Sequence, residues 1–260
     1  MFVERLKAAM QASGGRVCVG LDPSFERLPE SVERTAAGVE GFVERIIAET
    51  SDHACAYKPN SAFFEALGGA GYDVLGRTIE RIHAADRPVI LDAKRGDIAT
   101  TAQAYATAAF DVLGANAITV VAYMGEDAVT PFLDRGGFVF LLALPTNPSA
   151  GSIVEHGTPP LYLRIGEMAV RLAAQYPGQV GLVVGATRPE MAGRLHQQAP
   201  ELPWLVPGVG AQGGSVQEFF DVVNGDHPMV VNASRSIAFA ADPRAAAAEL
   251  KKRIEGAVHE

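Results

Sequence analysis

The chain has 260 residues, of which 48% are hydrophobic, 20% charged and 7% aromatic, a globular composition that excludes a fibrous or intrinsically disordered chain. Its 22 Lys and Arg against 30 Asp and Glu give a formal net charge of -8, which argues against nucleic acid or an anionic membrane as partner and leaves a local basic pocket open. At this length folding buries roughly 70 to 75% of the unfolded chain's surface, enough for one large core.

The amino terminus, MFVERLKAAMQ, carries Glu4, Arg5 and Lys7 where a signal peptide needs its apolar stretch. No run of about 18 apolar residues occurs, so a cytoplasmic protein without a membrane span is expected. Short β-rich apolar runs then alternate with stretches at helical spacing. The first four are RVCVGLD at 16–22, ACAYKPN at 54–60, RPVILDAK at 87–94 and NAITVVAY at 116–123. The others are GFVFLLAL at 137–144, QVGLVVGAT at 179–187, PWLVPGVG at 203–210 and PMVVNASR at 228–235. Near-continuous apolar strands, each followed by a helix, are the signature of a parallel sheet covered by helices. Eight such pairs over residues 1–260 predict an α/β chain folded as a single domain, a closed (β/α)8 TIM barrel. No GxGxxG opens the first helix and no GxxxxGK[ST] occurs, which weakens the open nucleotide-binding sheet.

Cys18 and Cys55 lie inside apolar runs rather than in a CxxC spacing, so they read as reduced core thiols with no zinc site. In DIATTAQAYATAAFDVLG, the residues Ile98, Ala102, Tyr105, Ala109, Val112 and Leu113 form one apolar stripe, with Gly114 as its stop. Asp242 before Pro243 reads as the N-cap of the last helix. The long connection PTNPSAGSIVEHGTPP at 145–160 is a candidate lid or substrate wall.

In such a barrel, chemistry collects where the strands end, so the residues that break each apolar run are the candidates. They are Asp22, Lys58 with Asn60, Asp92 with Lys94, Thr146, Thr187 with Arg188, Gln212 and Arg235. Strand alternation puts Ile90, Asp92 and Lys94 on one face, and Lys58 follows the same rule above Ala54 and Ala56. Two ammonium groups and at least one carboxylate then share a confined mouth, as a catalytic array or as a buried ion-pair network. Asp97 has a local reading of its own, the N-cap of a helix starting near Ile98. PGVGAQGG at 207–214 and NASRS at 232–236 stand after strands seven and eight, the usual phosphate position of this fold, although the glycines alone could be a tight turn. His53, His83, His156, His196, His227 and His259 have no HExxH or triad context and read as surface or loop residues, and Trp204 as packing.

GLDP at 20–23, YKPN at 57–60, LDAKRGDI at 91–98, PGVGAQGG at 207–214 and SRSI at 234–237, in this order through nearly the whole chain, resemble the orotidine 5'-phosphate decarboxylase family. NASRS and the Arg95-Gly96 pair are similar to the bacterial subgroup with longer loops. The resemblance implies a reaction without cofactor or metal, in which orotidine 5'-phosphate loses CO2 to give uridine 5'-phosphate, the last step of de novo pyrimidine nucleotide synthesis. It also implies a homodimer with shared active sites. Lys94 is then the proton donor to C6, Asp92 lies against the departing carboxylate, and Lys58 and Asp97 complete the charge row. Asp97, Ile98 and Thr101 are expected to reach the neighbouring subunit's site. Asp22 is expected on the ribose hydroxyls, Thr146 on the pyrimidine amide, and Gln212 with Arg235 on the phosphate, with Pro207 and Ser234 as further substrate contacts. Phosphate binding is expected to drive closure of the 207–214 loop.

Two rival readings remain. A sugar-phosphate decarboxylase or aldolase of the same barrel type would hold Mg2+ with an acidic residue where this chain has Lys58, whose charge repels the ion. A non-catalytic phosphate-ligand binder would not need Lys58, Asp92, Lys94 and Asp97, all of which are present.

Overall fold

The computed structural model describes residues 1–209, 215–223 and 227–259. Eight parallel strands run in the order β2-β1-β8-β7-β6-β5-β4-β3. They are β1 Val17–Leu21, β2 Ala56–Pro59, β3 Ile90–Arg95, β4 Ala117–Val120, β5 Phe138–Leu144, β6 Val180–Val184, β7 Trp204–Pro207 and β8 Met229–Ala233. The two ends of this order meet through the bridges Tyr57↔Val89 and Asn60↔Asp92, so the expected barrel closes at a thin seam between β2 and β3.

The strands are apolar on both faces because each face meets a different core. Val17, Val19 and Leu21 of β1, Leu91 of β3 and Val231 of β8 point outward into the layer shared with the helices. Cys18, Ala56, Ile90, Ala117, Phe138, Phe140, Val183, Leu205 and Val230 point inward and fill the barrel. The helix Phe2–Ser13 closes the bottom: Phe2 sits with its ring centroid 4.5 Å from Phe138 and 5.8 Å from Phe140, and Leu6 joins the same interior cluster. Cys18 and Cys55 are fully buried free thiols, as the sequence implies.

The helix Ala36–Thr50 shows how the outer layer is built. Thr35 accepts the Gly38 N–H at 3.1 Å as its N-cap, and Val39, Phe42, Val43, Ile46 and Ile47 form the buried stripe. The last helix, Pro243–His259, starts as expected, with the Asp242 carboxylate accepting the Ala245 N–H at 2.9 Å.

The helix after β3 departs from its pattern. It runs as an α-helix over Ala99–Ala106 and continues as a π-helical turn over Thr107–Val112. Across the two segments Ala102, Ala106, Ala109 and Leu113 face the core, while Ile98, Tyr105 and Val112 of the predicted stripe are exposed. Gly114 follows with φ 71°, a backbone that favours glycine.

β3 and β4 also break register. Leu91 pairs with Ile118 and Arg95 with Val120, so Asp92, Ala93 and Lys94 stand opposite the single residue Thr119. Such a bulge lifts the end of β3 toward the mouth and bends it.

Trp204 is fully buried at the start of β7, and His227, just before β8, is buried beside it with ring centroids 4.3 Å apart. His227 is a loop residue, as the sequence reading allows, but not a surface one: its ring is covered by Trp204 and by His196 at 4.9 Å. Burial first, and the nearby His196 second, lower its pKa to about 4. An unfolded histidine titrates near 6.5, so between these values the unfolded chain takes up a proton that the folded one refuses, and stability is lost as pH falls from about 6.5 toward 4. In His227→Phe, the fall in denaturation midpoint between pH 7 and pH 4.5 should shrink by roughly 1 to 3 kcal/mol of unfolding free energy; an unchanged pH profile would remove His227 from this role.

Candidate active site

A cavity of about 400 Å3 opens at the C-terminal ends of the strands. Asp22 reaches it from beyond β1, Lys58 and Asn60 from β2, Asp92 and Lys94 from β3, and Thr119 from β4. The opposite wall is formed by Thr146 and Asn147 after β5, Pro207 and Gly208 at the end of β7, and Asn232, Ser234 and Arg235 of β8 and its continuation.

Asp92 is the centre of the charge cluster. Its Oδ2 accepts Lys58 Nζ at 2.6 Å, and its Oδ1 accepts Lys94 Nζ at 2.5 Å and the Thr119 hydroxyl at 3.0 Å. Burial alone would raise the Asp92 pKa, but the charges of Lys58 and Lys94 and their hydrogen bonds hold it well below the ordinary carboxylate range. Burial alone would likewise discharge Lys58, and the carboxylates of Asp92 and Asp22 more than reverse that, keeping the ammonium above its usual value. Both groups are therefore ionised at neutral pH. The two lysines differ in exposure: the Lys58 side chain is 5% exposed and that of Lys94 is 46% exposed. Of these two lysines, Lys94 is the one that presents its ammonium to a molecule in the cavity.

Lys94 takes φ 45°, a region that side chains with a Cβ rarely adopt and that costs about 1 to 3 kcal/mol. Its backbone N–H donates to Thr119 Oγ1 at 3.0 Å. The inward alternation of Ile90, Asp92 and Lys94 is observed, but the bulge opposite Thr119 shapes their final placement.

The glycine of GLDP has a steric reason. A Cβ on Gly20 would stand 1.9 Å from Ser234 Oγ, so only glycine lets the end of β8 approach β1 here. Two acceptors in this corner, Asp22 Oδ1 and Asn232 Oδ1, are buried with no hydrogen-bond partner. Both line the cavity and would be satisfied by a ligand's hydroxyl or amide donors.

Lys58, Asp92, Lys94, Asp22, Thr146, Pro207, Ser234 and Arg235 thus share one cavity, as the sequence reading expects. Asp97, Ile98 and Thr101 do not line it. Asp97 Oδ1 accepts only the adjacent Ile98 N–H at 2.8 Å, and the helix begins at Ala99 with Ile98 in the cap position, so the N-cap reading of Asp97 is corrected. Ile98 and Thr101 are exposed. Gln212 lies outside the described residues, with the rest of 210–214.

The 145–160 segment is a wall only at its start. Thr187 Oγ1 donates to the Thr146 carbonyl at 3.3 Å, and Arg188 donates to the carbonyls of Asn147 at 3.3 Å and Pro148 at 3.1 Å. Thr187 and Arg188 therefore brace the wall from behind, and beyond it the chain coils into the short helices Pro148–Ala150 and Gly151–Val154. Thr119 and Asn232 were not among the sequence candidates. The signal of Thr119 is present, a lone polar residue at an inward position of an otherwise apolar strand, while Asn232 merges into the polar run NASRS. Among the described residues no group of three or more His, Cys, Asp or Glu could hold a metal ion.

Comparison with known proteins agrees with this geometry. Residues 15–250 match the model of the "Orotidine 5'-phosphate decarboxylase / HUMPS family". The chain is 47% identical over 246 residues to an orotidine 5'-phosphate decarboxylase of Herpetosiphon aurantiacus, covering 92% of this chain and 90% of that one. It is 43% identical to that of Roseiflexus castenholzii, covering 99% and 98%. Among solved structures it is similar to the OMP decarboxylase of Leishmania donovani, with TM-score 0.88, 39% identity and coverage of 100% and 99%. UMP synthase of the same organism matches with TM-score 0.89 and 41% identity, covering 99% of this chain and 56% of that one.

Removing the central carboxylate should unmask its structural work. Asp92→Asn leaves the buried Lys58 ammonium without its counter-charge and should destabilise the fold by about 3 to 5 kcal/mol in denaturant titrations. Lys58→Met combined with Asp92→Asn should recover most of that loss, and equal instability of both variants would count against the pair as its source.

Proposed function

The chain belongs to the orotidine 5'-phosphate decarboxylase / HUMPS family, and from this we infer how its cavity carries out the reaction of that enzyme. The protein is an orotidine 5'-phosphate decarboxylase of pyrimidine biosynthesis, converting its substrate to uridine 5'-phosphate and CO2. We read residues 1–260 as one catalytic unit acting in the cytoplasm; no helix among the described residues is long and apolar enough to cross a membrane.

The observation that carries the assignment of roles is the pairing of Asp92 with two ammonium groups, one buried and one open to the cavity. When the C6 carboxylate leaves as CO2, an electron pair stays on a ring carbon with no adjacent sink. A fixed cation nearby stabilises that charge as it develops. Lys94 supplies it, then transfers an Nζ proton to C6; the C–H bond forms, the lysine is left neutral and it regains a proton from solvent. Asp92, ionised between Lys58 and Lys94, aims the donor through its hydrogen bond and borders the substrate carboxylate. Lys58 is too enclosed to exchange protons with the substrate and serves as the counter-charge that keeps Asp92 ionised.

The unpartnered Asp22 Oδ1 supports its role on the ribose hydroxyls. We assign Thr146, on the braced wall, to the pyrimidine amide, and Arg235 with Ser234 and Pro207 to the phosphate, a task in which Gln212 is expected to share; the lining of one cavity by Thr146, Pro207, Ser234 and Arg235 supports this. These residues come from the ends of β7 and β8, where this fold binds phosphate. No cofactor enters this scheme. The Mg2+-dependent alternative is not favoured, because Lys58 puts a buried positive charge where that chemistry would need a metal ligand.

We further propose a homodimer in which Asp97, Ile98 and Thr101 enter the partner's site. The exposure of Ile98 and Thr101 supports this, as does the solvent-facing apolar surface of Ile98, Tyr105, Tyr123 and Met124 on the segments following β3 and β4.

In an ultraviolet assay, Lys94→Ala should lower turnover of orotidine 5'-phosphate by at least roughly three orders of magnitude, the sum of lost acid catalysis and lost charge stabilisation. Wild-type turnover should be unaffected by EDTA. Unchanged turnover in Lys94→Ala would sink that residue's role, and loss with EDTA would restore the metal-dependent reading. For the shared site, mixing inactive Lys94→Ala with inactive Asp97→Ala should restore part of the activity through hybrid dimers. No recovery despite demonstrated subunit exchange would place Asp97 in its own subunit only.

A further inference from the structure

We propose that Thr119 is a positioning residue for the decarboxylation, a hydroxyl that stands in for the missing strand partner and holds Lys94 in its strained conformation over Asp92. The proposal rests on the reading of Lys94 as proton donor.

Between Leu91↔Ile118 and Arg95↔Val120, β3 has three residues and β4 has one, so the regular ladder cannot supply a backbone acceptor for the Lys94 N–H. That N–H instead donates to Thr119 Oγ1 at 3.0 Å. The same hydroxyl has one proton, and it goes to Asp92 Oδ1 at 3.0 Å, the oxygen that also accepts Lys94 Nζ at 2.5 Å. The Lys94 backbone, the Thr119 hydroxyl, the Asp92 carboxylate and the Lys94 ammonium thus form a closed ring. It fixes both ends of one lysine, its φ of 45° and the direction of its side chain. Thr119 is 1% exposed and fully committed in this ring, accepting from one partner and donating to the other. A hydroxyl is the smallest group that can do both, which explains a lone polar residue within the apolar run Ala117–Val120.

The test compares Thr119→Val, which keeps the shape and removes the hydroxyl, with Thr119→Ser, which keeps the hydroxyl. Thr119→Val should lose about 100-fold in kcat, as expected for misplacement of a reacting group by about 1 Å, with KM changed by less than about threefold. Thr119→Ser should recover kcat to within about fivefold of the wild type. If Thr119→Val does not fold, Thr119→Ala takes its place, since it removes the hydroxyl without adding an apolar group to the cavity. Crystal structures of the same variants give a readout that needs no turnover: without the hydroxyl, Lys94 should leave the positive-φ region and its contact with Asp92 Oδ1 should lengthen. Wild-type kcat in Thr119→Val or Thr119→Ala, Thr119→Ser as impaired as either, or a Lys94 backbone unmoved by loss of the hydroxyl would each overturn the proposal. The backbone result separates it from any failure of Lys94 as the proton donor.

Discussion

One carboxylate divided between two ammonium groups is the interaction on which the site depends. Asp92 is buried, and a buried carboxylate in an apolar barrel would take up a proton if it stood alone. Lys58 and Lys94 prevent that, and the buried Lys58 in turn keeps its charge because the carboxylate is there. Neither member of the buried pair has a stable ionised state without the other. The arrangement is a bland ion-pair network and a catalytic array at once, and what separates the two descriptions is that one of its cations, Lys94, faces open space.

The surroundings follow from that requirement. Between Asp92 and Lys94, whose side-chain ends meet, the strand leaves regular geometry. It does so by the bulge against β4 and the positive φ of Lys94. Gly96 extends the same logic, since a Cβ there would come within 2.8 Å of the Val121 carbonyl and block the close approach of the two chains beyond the bulge. The local strain is held by a scaffold packed on both faces of the sheet, which is where a fold can sustain it.

Much of this could be read from residues in a row. The eight apolar runs and their polar endings disclosed the barrel and its mouth, because a strand buried on both faces has few ways to be polar except at its end. Side-chain alternation put Asp92 and Lys94 on one face and Lys58 beside them. What was hidden is what depends on register or on the third dimension. The bulge that gives Thr119 its place has no signature in either strand alone. Asn232 reads like one more polar residue in NASRS until β8 is seen to turn it inward. The stripe after β3 looked regular, yet the helix buries Ala102, Ala106 and Ala109 and leaves Ile98 and Tyr105 exposed. His227 could be read as a surface residue because nothing in its neighbours announces that Trp204 and His196 will close over it.

The seam between β2 and β3 has a consequence for how this protein can change over time. Seven of the eight strand junctions are continuous ladders, while this one is held by the bridges Tyr57↔Val89 and Asn60↔Asp92. The Lys58 to Asp92 ion pair spans that same junction. The charged pair therefore works as a clasp on the weakest joint of the barrel as well as part of its chemistry. A descendant that lost Lys58 would have to give Asp92 another counter-charge, such as a metal ion, or replace both residues together with a well-packed apolar pair. Persistence of Lys58 and Asp92 in a relative is for this reason a poor guide to whether it still turns over substrate; the exposed Lys94, which the barrel needs far less, is the more informative residue to follow.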